Sequence, residues 1–141
     1  MNRKGSAVWS GDLKTGKGSL STQSGTLAEA QYSFGTRFEN GVGTNPEELI
    51  AAAHAGCFSM ALSSILGGAK IAPERIATTS TVTLEFVDGN PTITKVHLDT
   101  TANVPGISEE DFQKYAAEAK ANCPISRLLK AEITMTAVLE G

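Results

Sequence analysis

Residues 49–66 contain no charged side chain, and this uninterrupted stretch constrains the fold more than any other feature of the chain. A strong helix start precedes it, because Asn45 suits the N-cap, Pro46 suits the first helical position and the acids that follow favour the positive helix end. Gly67 and Gly68 end the pattern. The sequence therefore predicts one long helix that is apolar or small on all sides and is buried almost completely.

The length of the chain allows only one core. Two independent cores within 141 residues would take about 70 residues each, which is marginal. We therefore expect a single domain over residues 1–141. A small domain of this kind does not easily surround a helix that needs cover on every side. The small side chains of the helix permit close approach of another element, so we expect a second copy of the chain to cover it.

Charge and composition exclude several classes of protein. The chain has 12 Lys and Arg against 15 Asp and Glu, so it lacks the basic field of a dedicated nucleic-acid-binding protein. No run of about 18 consecutive apolar residues is present, which predicts no membrane span. The first six residues have no apolar stretch behind their charges, so no secretory signal is expected. Two cysteines, Cys57 and Cys123, are too few for a disulfide framework.

The other patterns predict the fold class. Short strands fill the N-terminal part, and residues 76–98 form a hairpin in which a phase shift between Ile93 and Val96 indicates a bulge. Ser108 caps one later helix, and a short helix starts at Pro124. An alternating strand ends the chain. The predicted order is β-β-β-α-β-β-α-α-β, an α+β fold with largely antiparallel pairing.

Cys123 precedes Pro124 and is therefore predicted at or next to the N-cap of the short helix. The positive helix end stabilises a thiolate there and lowers the thiol pKa. Arg127, four residues later, could add to this effect. The alternative is a cysteine that only fills a helix entry and has no special reactivity.

Cys57 lies in the middle of the uncharged helix, where the helix dipole contributes little. It is either a core residue, the common fate of a free cysteine, or a reactive thiol that needs a cation from outside its own helix. Arg37 and Glu47 are the candidate partners. Alternatively, Arg37 is an ordinary solvated surface charge, and Glu47 only interacts favourably with the helix dipole. Glu47 and Cys57 are about 15 Å apart along one helix, so a site that contains both requires two chains with antiparallel helices.

Other catalytic and metal patterns are weak. His54 lies three residues before Cys57, so either a Cys–His pair or an ordinary interior histidine fits the sequence. Two cysteines with His54 and His97 lack the ligand spacing of a zinc site. The sequence contains no P-loop, no G-x-G-x-x-G and no G-x-S-x-G.

Three segments together resemble the osmotically inducible protein C (OsmC) family, which is related to the organic hydroperoxide resistance proteins. They are residues 43–49 (GTNPEEL), 52–62 (AAHAGCFSMAL) and 123–126 (CPIS). Residues 36–39 (TRFE) and 130–134 (KAEIT) extend the resemblance over nearly the whole chain. It implies an OsmC-like α+β fold assembled as an intertwined homodimer, with antiparallel sheets from both chains wrapped around two central helices.

The resemblance also implies a cytoplasmic thiol peroxidase and a role for each candidate residue. Cys57 would be the peroxidatic thiol and Cys123 the resolving thiol, and the two would form an intramolecular disulfide in each cycle. Arg37 would hold Cys57 as a thiolate and orient the peroxide, and Glu47 would pair with Arg37. No metal, haem, flavin or other cofactor is implied.

The implied substrates are organic hydroperoxides, with H2O2 reduced more weakly, in oxidative and osmotic stress defence. The implied reductant is an external dithiol such as a lipoylated protein. No nucleic-acid or membrane partner is expected. Two alternatives stay open: an OsmC-like thiol protein that acts on a different redox substrate, and a non-catalytic binding module whose cysteines are core residues.

Overall fold

Three short strands fill the N-terminal part of the chain, as predicted. The structure, a computed structural model, describes all residues from Met1 to Gly141. Strands β1 (Gly5–Ser10), β2 (Lys17–Thr22) and β3 (Ala30–Tyr32) form an antiparallel sheet in the order β1-β2-β3. They belong to a first unit, Met1–Leu49, and the rest of the chain forms a second unit, Ile50–Gly141.

A five-residue helix, α1 (Phe34–Phe38), follows β3 and is absent from the predicted element order. It is too short for a helical hydrophobic period to show in the sequence. Its signal is a capping box: Thr36 N–H donates to Ser33 Oγ at 3.3 Å, and Ser33 N–H donates to Thr36 Oγ1 at 2.8 Å. The helix places Arg37 in its last turn.

The long helix α2 (Pro46–Gly68) begins as the sequence predicts. The side-chain oxygen of Asn45 accepts a hydrogen bond from the Glu48 backbone at 2.7 Å, which is N-cap geometry. The Asn45 amide also donates to the carbonyl of Thr36 at 3.1 Å. The same asparagine therefore starts α2 and ties that start to α1.

Within the single chain, α2 buries one stripe and not all of its sides. The buried residues follow each other at intervals of four along the helix: His54, Phe58, Leu62 and Leu66. The opposite face is exposed and has only small or apolar uncharged residues: Ala52, Ala53, Gly56, Met60, Ser63, Ser64 and Gly67. The prediction of almost complete burial does not hold for one chain, because no other element of the second unit covers this face.

By length and composition alone, α2 is also able to cross a membrane. The prediction of no membrane span is based on the lack of an unbroken apolar run. In α2 the residues that interrupt the apolar run are serine and histidine and not charged residues, so the helix as a whole stays hydrophobic. The core helix of a soluble protein has the same length and composition. Here the buried stripe of α2 packs into a protein core, where Phe58 and Leu62 join Leu98 and Phe112.

Strands β4 (Arg75–Val87) and β5 (Asn90–Asn103) form the predicted antiparallel hairpin. Thr83 pairs with Lys95 and the next residue, Leu84, pairs with Ile93, so Thr94 is the extra residue of a bulge. The irregularity lies where the phase shift in the sequence indicates it.

Two helices, α3 (Glu109–Asn122) and α4 (Pro124–Leu128), connect β5 to β6 (Glu132–Leu139). The second sheet has the order β4-β5-β6, and β6 runs parallel to β5. The largely antiparallel pairing that we predicted therefore includes one parallel pair, because α3 and α4 supply the long crossover that parallel strands need. The α+β class is confirmed.

Candidate active site

Cys123 ends α3 and is the N-cap of α4, as its position before Pro124 predicts. Its sulfur accepts a hydrogen bond from the Ser126 backbone N–H at 3.4 Å and lies 3.1 Å from the Ser126 hydroxyl. The side chain is buried at 1% exposure and belongs to the hydrophobic core. The thiol is thus free, enclosed and held at a helix start.

Cys57 lies in the middle of α2, half-buried between the buried stripe and the exposed face. Burial raises the pKa of its thiol, and the nearby Cys123 thiol raises the pKa further. The Ile125 backbone opposes this shift and lowers the thiol pKa. A thiol in this environment is neutral at pH 7, so the second unit alone does not activate it.

Arg37 and Glu47 form an ion pair in the first unit, the pairing that the resemblance implies. Arg37 Nη2 lies 2.5 Å and Nε 3.1 Å from the same carboxylate oxygen, Oε1. The Glu47 side chain is 13% exposed and that of Arg37 is 35% exposed, so the guanidinium keeps an open side. The Arg37 guanidinium also lies 5.2 Å from the centre of the Phe38 ring.

A cavity of about 260 Å³ opens beside Arg37. Its wall is largely aromatic, with one cation: Trp9, Leu13, Tyr32, Ser33, Phe34, Arg37 and Phe38 line it. Such a wall suits an apolar molecule that carries one polar group toward the guanidinium.

The four predicted site residues thus fall into two pairs. Cys57 and Cys123 lie together in the second unit, and Arg37 and Glu47 lie together in the first. The structure does not pair Cys57 with His54, the Cys–His arrangement that the sequence left open. Instead, His54 Nε2 lies 2.7 Å from the hydroxyl of Ser126.

Ser126 is the residue that sequence reasoning missed. It contacts both His54 and Cys123, and it is almost fully buried. Two signals in the sequence point to it: it lies three residues after an N-cap cysteine, where a capping interaction falls, and it ends the 123–126 (CPIS) segment. No group of three or more His, Cys, Asp or Glu side chains is arranged to hold a metal ion.

A family model described as OsmC-like protein matches residues 38–138. Over 135 residues the chain is 53% identical to Peroxiredoxin OsmC of Escherichia coli (strain K12), which covers 96% of this chain and 94% of that protein. It is 35% identical over 102 residues to organic hydroperoxide resistance protein-like 1 of Staphylococcus epidermidis, which covers 72% of each chain.

The fold has close counterparts among solved structures. The crystal structure of an OsmC-like protein from Mycoplasma pneumoniae superposes with a TM-score of 0.76 over 100% of this chain and 99% of that one. The identity is 14%, so this likeness bears on the fold alone. The family match over residues 38–138 and the 53% identity to a curated relative establish the family, and the superposition establishes the fold. The chain belongs to the OsmC family and has the OsmC-like fold.

Proposed function

We propose that this protein reduces organic hydroperoxides through a Cys57 sulfenic acid and an intramolecular Cys57–Cys123 disulfide. Its enzyme class is peroxidase, given 53% identity over 96% of the chain to Peroxiredoxin OsmC. The observation that carries the proposed chemistry is that Cys57 packs against the core cluster that contains Cys123, so the two free thiols meet in one core although they lie far apart in the sequence.

The reaction begins at Cys57. Its thiolate attacks the distal oxygen of the peroxide, the O–O bond breaks, and the leaving alkoxide takes a proton and departs as an alcohol. Cys57 is then a sulfenic acid. Cys123 attacks the Cys57 sulfur, the S–O bond breaks, and water leaves as the disulfide forms. An external dithiol restores both thiols by exchange, so the chemistry calls for no metal, haem or flavin.

Cys57 needs a cation to react as a thiolate, because burial raises its pKa. We assign this role to Arg37 of the partner subunit, held in place by the partner's Glu47. Glu47 and Cys57 share α2 and are about 15 Å apart along it. Two α2 helices packed antiparallel place the start of one near the middle of the other, so each copy completes the other's site.

The exposed surfaces of the single chain favour such a homodimer. One face of α2 is uncharged and open, with Met60 at 77% exposure and no atom near a Cβ placed on Gly56. All six residues of β1 are exposed, among them Val8 and Trp9. Apolar surface of this extent on a small chain marks an interaction site. The proposed assembly is an intertwined dimer of single-domain chains, residues 1–141.

The aromatic cavity beside Arg37 supports an organic substrate. Its volume, about 260 Å³, accommodates a small carbon tail, and the guanidinium at its wall can hold the peroxide oxygens. H2O2 has no apolar part to place there, so we propose that it is reduced more weakly. For the reductant we propose a dithiol such as a lipoylated protein, and for the location the cytoplasm, where two free thiols stay reduced.

A turnover panel tests this function. Cumene hydroperoxide, tert-butyl hydroperoxide and H2O2 are each supplied with dihydrolipoyl or thioredoxin donors, and disappearance of peroxide is followed. We expect organic hydroperoxides with the dihydrolipoyl donor to give the highest rate. No turnover with any pair would overturn the proposal. Rapid thiol alkylation at low pH without turnover would then indicate another redox substrate, and slow alkylation would indicate a binding module with core cysteines.

A further inference from the structure

One buried hydrogen-bond chain in the second unit has no part in the mechanism above. His54 Nε2 lies 2.7 Å from Ser126 Oγ, and Ser126 Oγ lies 3.1 Å from Cys123 Sγ. The chain joins the buried stripe of α2 to the N-cap of α4. It ends on the sulfur to which we assign the resolving role.

The environment of this chain excludes water. His54 is 0% exposed, Cys123 is 1% exposed and Ser126 is 7% exposed. His54 Nδ1 is buried without any hydrogen-bond partner, so Ser126 is the ring's one polar contact. A buried unpartnered nitrogen costs free energy that an apolar residue would avoid. Packing alone therefore does not explain a histidine at this position.

The imidazole is in the correct state to take up a proton. Burial lowers the pKa of His54, so the ring is neutral at pH 7. No carboxylate contacts Nδ1, so an imidazolium formed here is not stabilised and gives its proton up again. The Ser126 hydroxyl can both accept and donate, which allows it to connect a thiol to a ring nitrogen.

We propose that Ser126 and His54 form a proton relay for the resolving thiol. Ser126 touches the Cys123 sulfur, and His54, a positioning residue that acts through Ser126, receives the proton that Cys123 loses when the disulfide forms. This inference rests on the proposed function and adds to it the route of one proton.

The step balances. The Cys123 thiol gives its proton to Ser126 Oγ, and the Ser126 hydroxyl proton passes to His54 Nε2. The electron pair of the Cys123 thiolate forms the S–S bond with Cys57, and the S–O bond of the sulfenic acid breaks with its electrons on oxygen. The imidazolium returns its proton through the Ser126 hydroxyl, its one polar contact, to the hydroxide, which leaves as water. His54 thus ends neutral, and the relay serves the second chemical step without serving the first.

Single-turnover kinetics separate the two steps. The reduced protein is mixed with one equivalent of cumene hydroperoxide, quenched with a thiol-alkylating reagent at successive times, and the sulfenic acid and disulfide are counted by mass spectrometry. Ser126→Ala removes the relay's hydroxyl, and His54→Gln keeps a hydrogen-bonding group but removes the base. We expect each to slow disulfide formation by about 100-fold, the size of a general-base effect, with sulfenic acid formation unchanged.

Two controls exclude a purely structural explanation. Ser126→Thr keeps the hydroxyl and should restore rapid disulfide formation. Ser59→Ala changes a partly buried serine of α2 that is bonded to Thr78 at 2.8 Å and not to the relay, and it should leave both steps at the wild-type rate. In wild type, disulfide formation should also be slower in D2O than in H2O, which requires no variant to fold.

The outcomes are distinguishable. Disulfide formation at the wild-type rate in Ser126→Ala, or no solvent isotope effect on that step in wild type, would overturn the relay. Equal slowing of both steps would also overturn it, because it would indicate a general disturbance of the site. If wild type forms neither sulfenic acid nor disulfide, the proposed function itself fails and the relay fails with it.

Discussion

The Arg37 guanidinium contacts the Glu47 carboxylate through two nitrogens, with Nη2 2.5 Å and Nε 3.1 Å from the same oxygen. Glu47 occupies the first turn of α2, where the helix dipole also favours its charge. The carboxylate is thereby fixed, and it fixes the arginine in turn. In the proposed dimer, a guanidinium oriented this way acts on the partner's thiol without reorganising, a role beyond the small stability gain of a surface ion pair.

Loss of the Arg37 cation should move the pH dependence of the peroxide reaction. Burial raises the pKa of Cys57, and the cation counters this shift in the proposed dimer. In Arg37→Gln the thiolate fraction at pH 7 should fall by about tenfold for each unit that the pKa rises. The rate of Cys57 oxidation should then keep increasing with pH where the wild-type rate has levelled.

A matched control for this change is Arg75→Gln. The Arg75 side chain is 65% exposed, its ion pair with Glu140 is 3.8 Å long, and it is not among the residues of the proposed site. Stopped-flow oxidation of each variant from pH 5 to pH 10 provides the comparison. An Arg37→Gln profile that overlays the wild-type profile would remove Arg37 from the mechanism.

The two cysteines should fail at different steps. Cys57→Ser should abolish turnover of organic hydroperoxides, because the nucleophile is lost. Cys123→Ser should consume about one peroxide per site and then accumulate a sulfenic or overoxidised Cys57, because no resolving thiol remains. Mass spectrometry after peroxide addition reads both results. Normal cycling in Cys123→Ser would show that another group resolves the sulfenic acid.

The exposed face of α2 should control assembly. Met60 is 77% exposed in the single chain and lies at the centre of this face. Met60→Glu places a charge where the partner helix packs in the proposed dimer, so it should shift the protein from dimer toward monomer and lower peroxidase activity with it. Met60→Leu keeps the apolar contact and should stay dimeric. Light scattering at several concentrations measures this, and a dimeric Met60→Glu protein would argue against packing through this face.

The core of the second unit should respond to large-to-small changes. Phe112 is fully buried on α3, in the cluster that contains Phe58 and Cys123. Phe112→Ala should lower the free energy of unfolding by about 3–5 kcal/mol, since a cavity replaces the ring. Lys114→Ala, two residues along and exposed, should change it by no more than about 0.5 kcal/mol. Denaturant unfolding of the two variants checks this, and equal stabilities would mean that the α3 core contact is wrong.

Local signals in the sequence predicted much of the fold. Asn45 and Pro46 marked the start of α2, Cys123 before Pro124 marked the start of α4, and the phase shift after Ile93 marked the bulge. Each of these features depends on a few consecutive residues, so the sequence alone is enough to predict it.

The rest depends on contacts between distant residues. The His54–Ser126 hydrogen bond joins positions 72 apart, and the parallel pairing of β6 depends on how two helices cross between strands. Helix α1 has five residues, too few for a periodic pattern. Residue spacing alone could not bring Cys57 to Cys123, and only the family resemblance suggested that pair. The proposed dimer, finally, is a property of two chains and not of one.

The central claim is that each active site takes its thiol from one chain and its arginine from the other. Cys57→Ser and Arg37→Gln proteins, each nearly inactive alone, are unfolded together, refolded as a mixture and assayed with cumene hydroperoxide. A mixed dimer has one intact site, formed by Cys57 of the Arg37→Gln chain and Arg37 of the Cys57→Ser chain. We expect recovery of about one quarter of wild-type activity from a random mixture of symmetric dimers. Activity no greater than the mean of the two parents would contradict a site shared between chains.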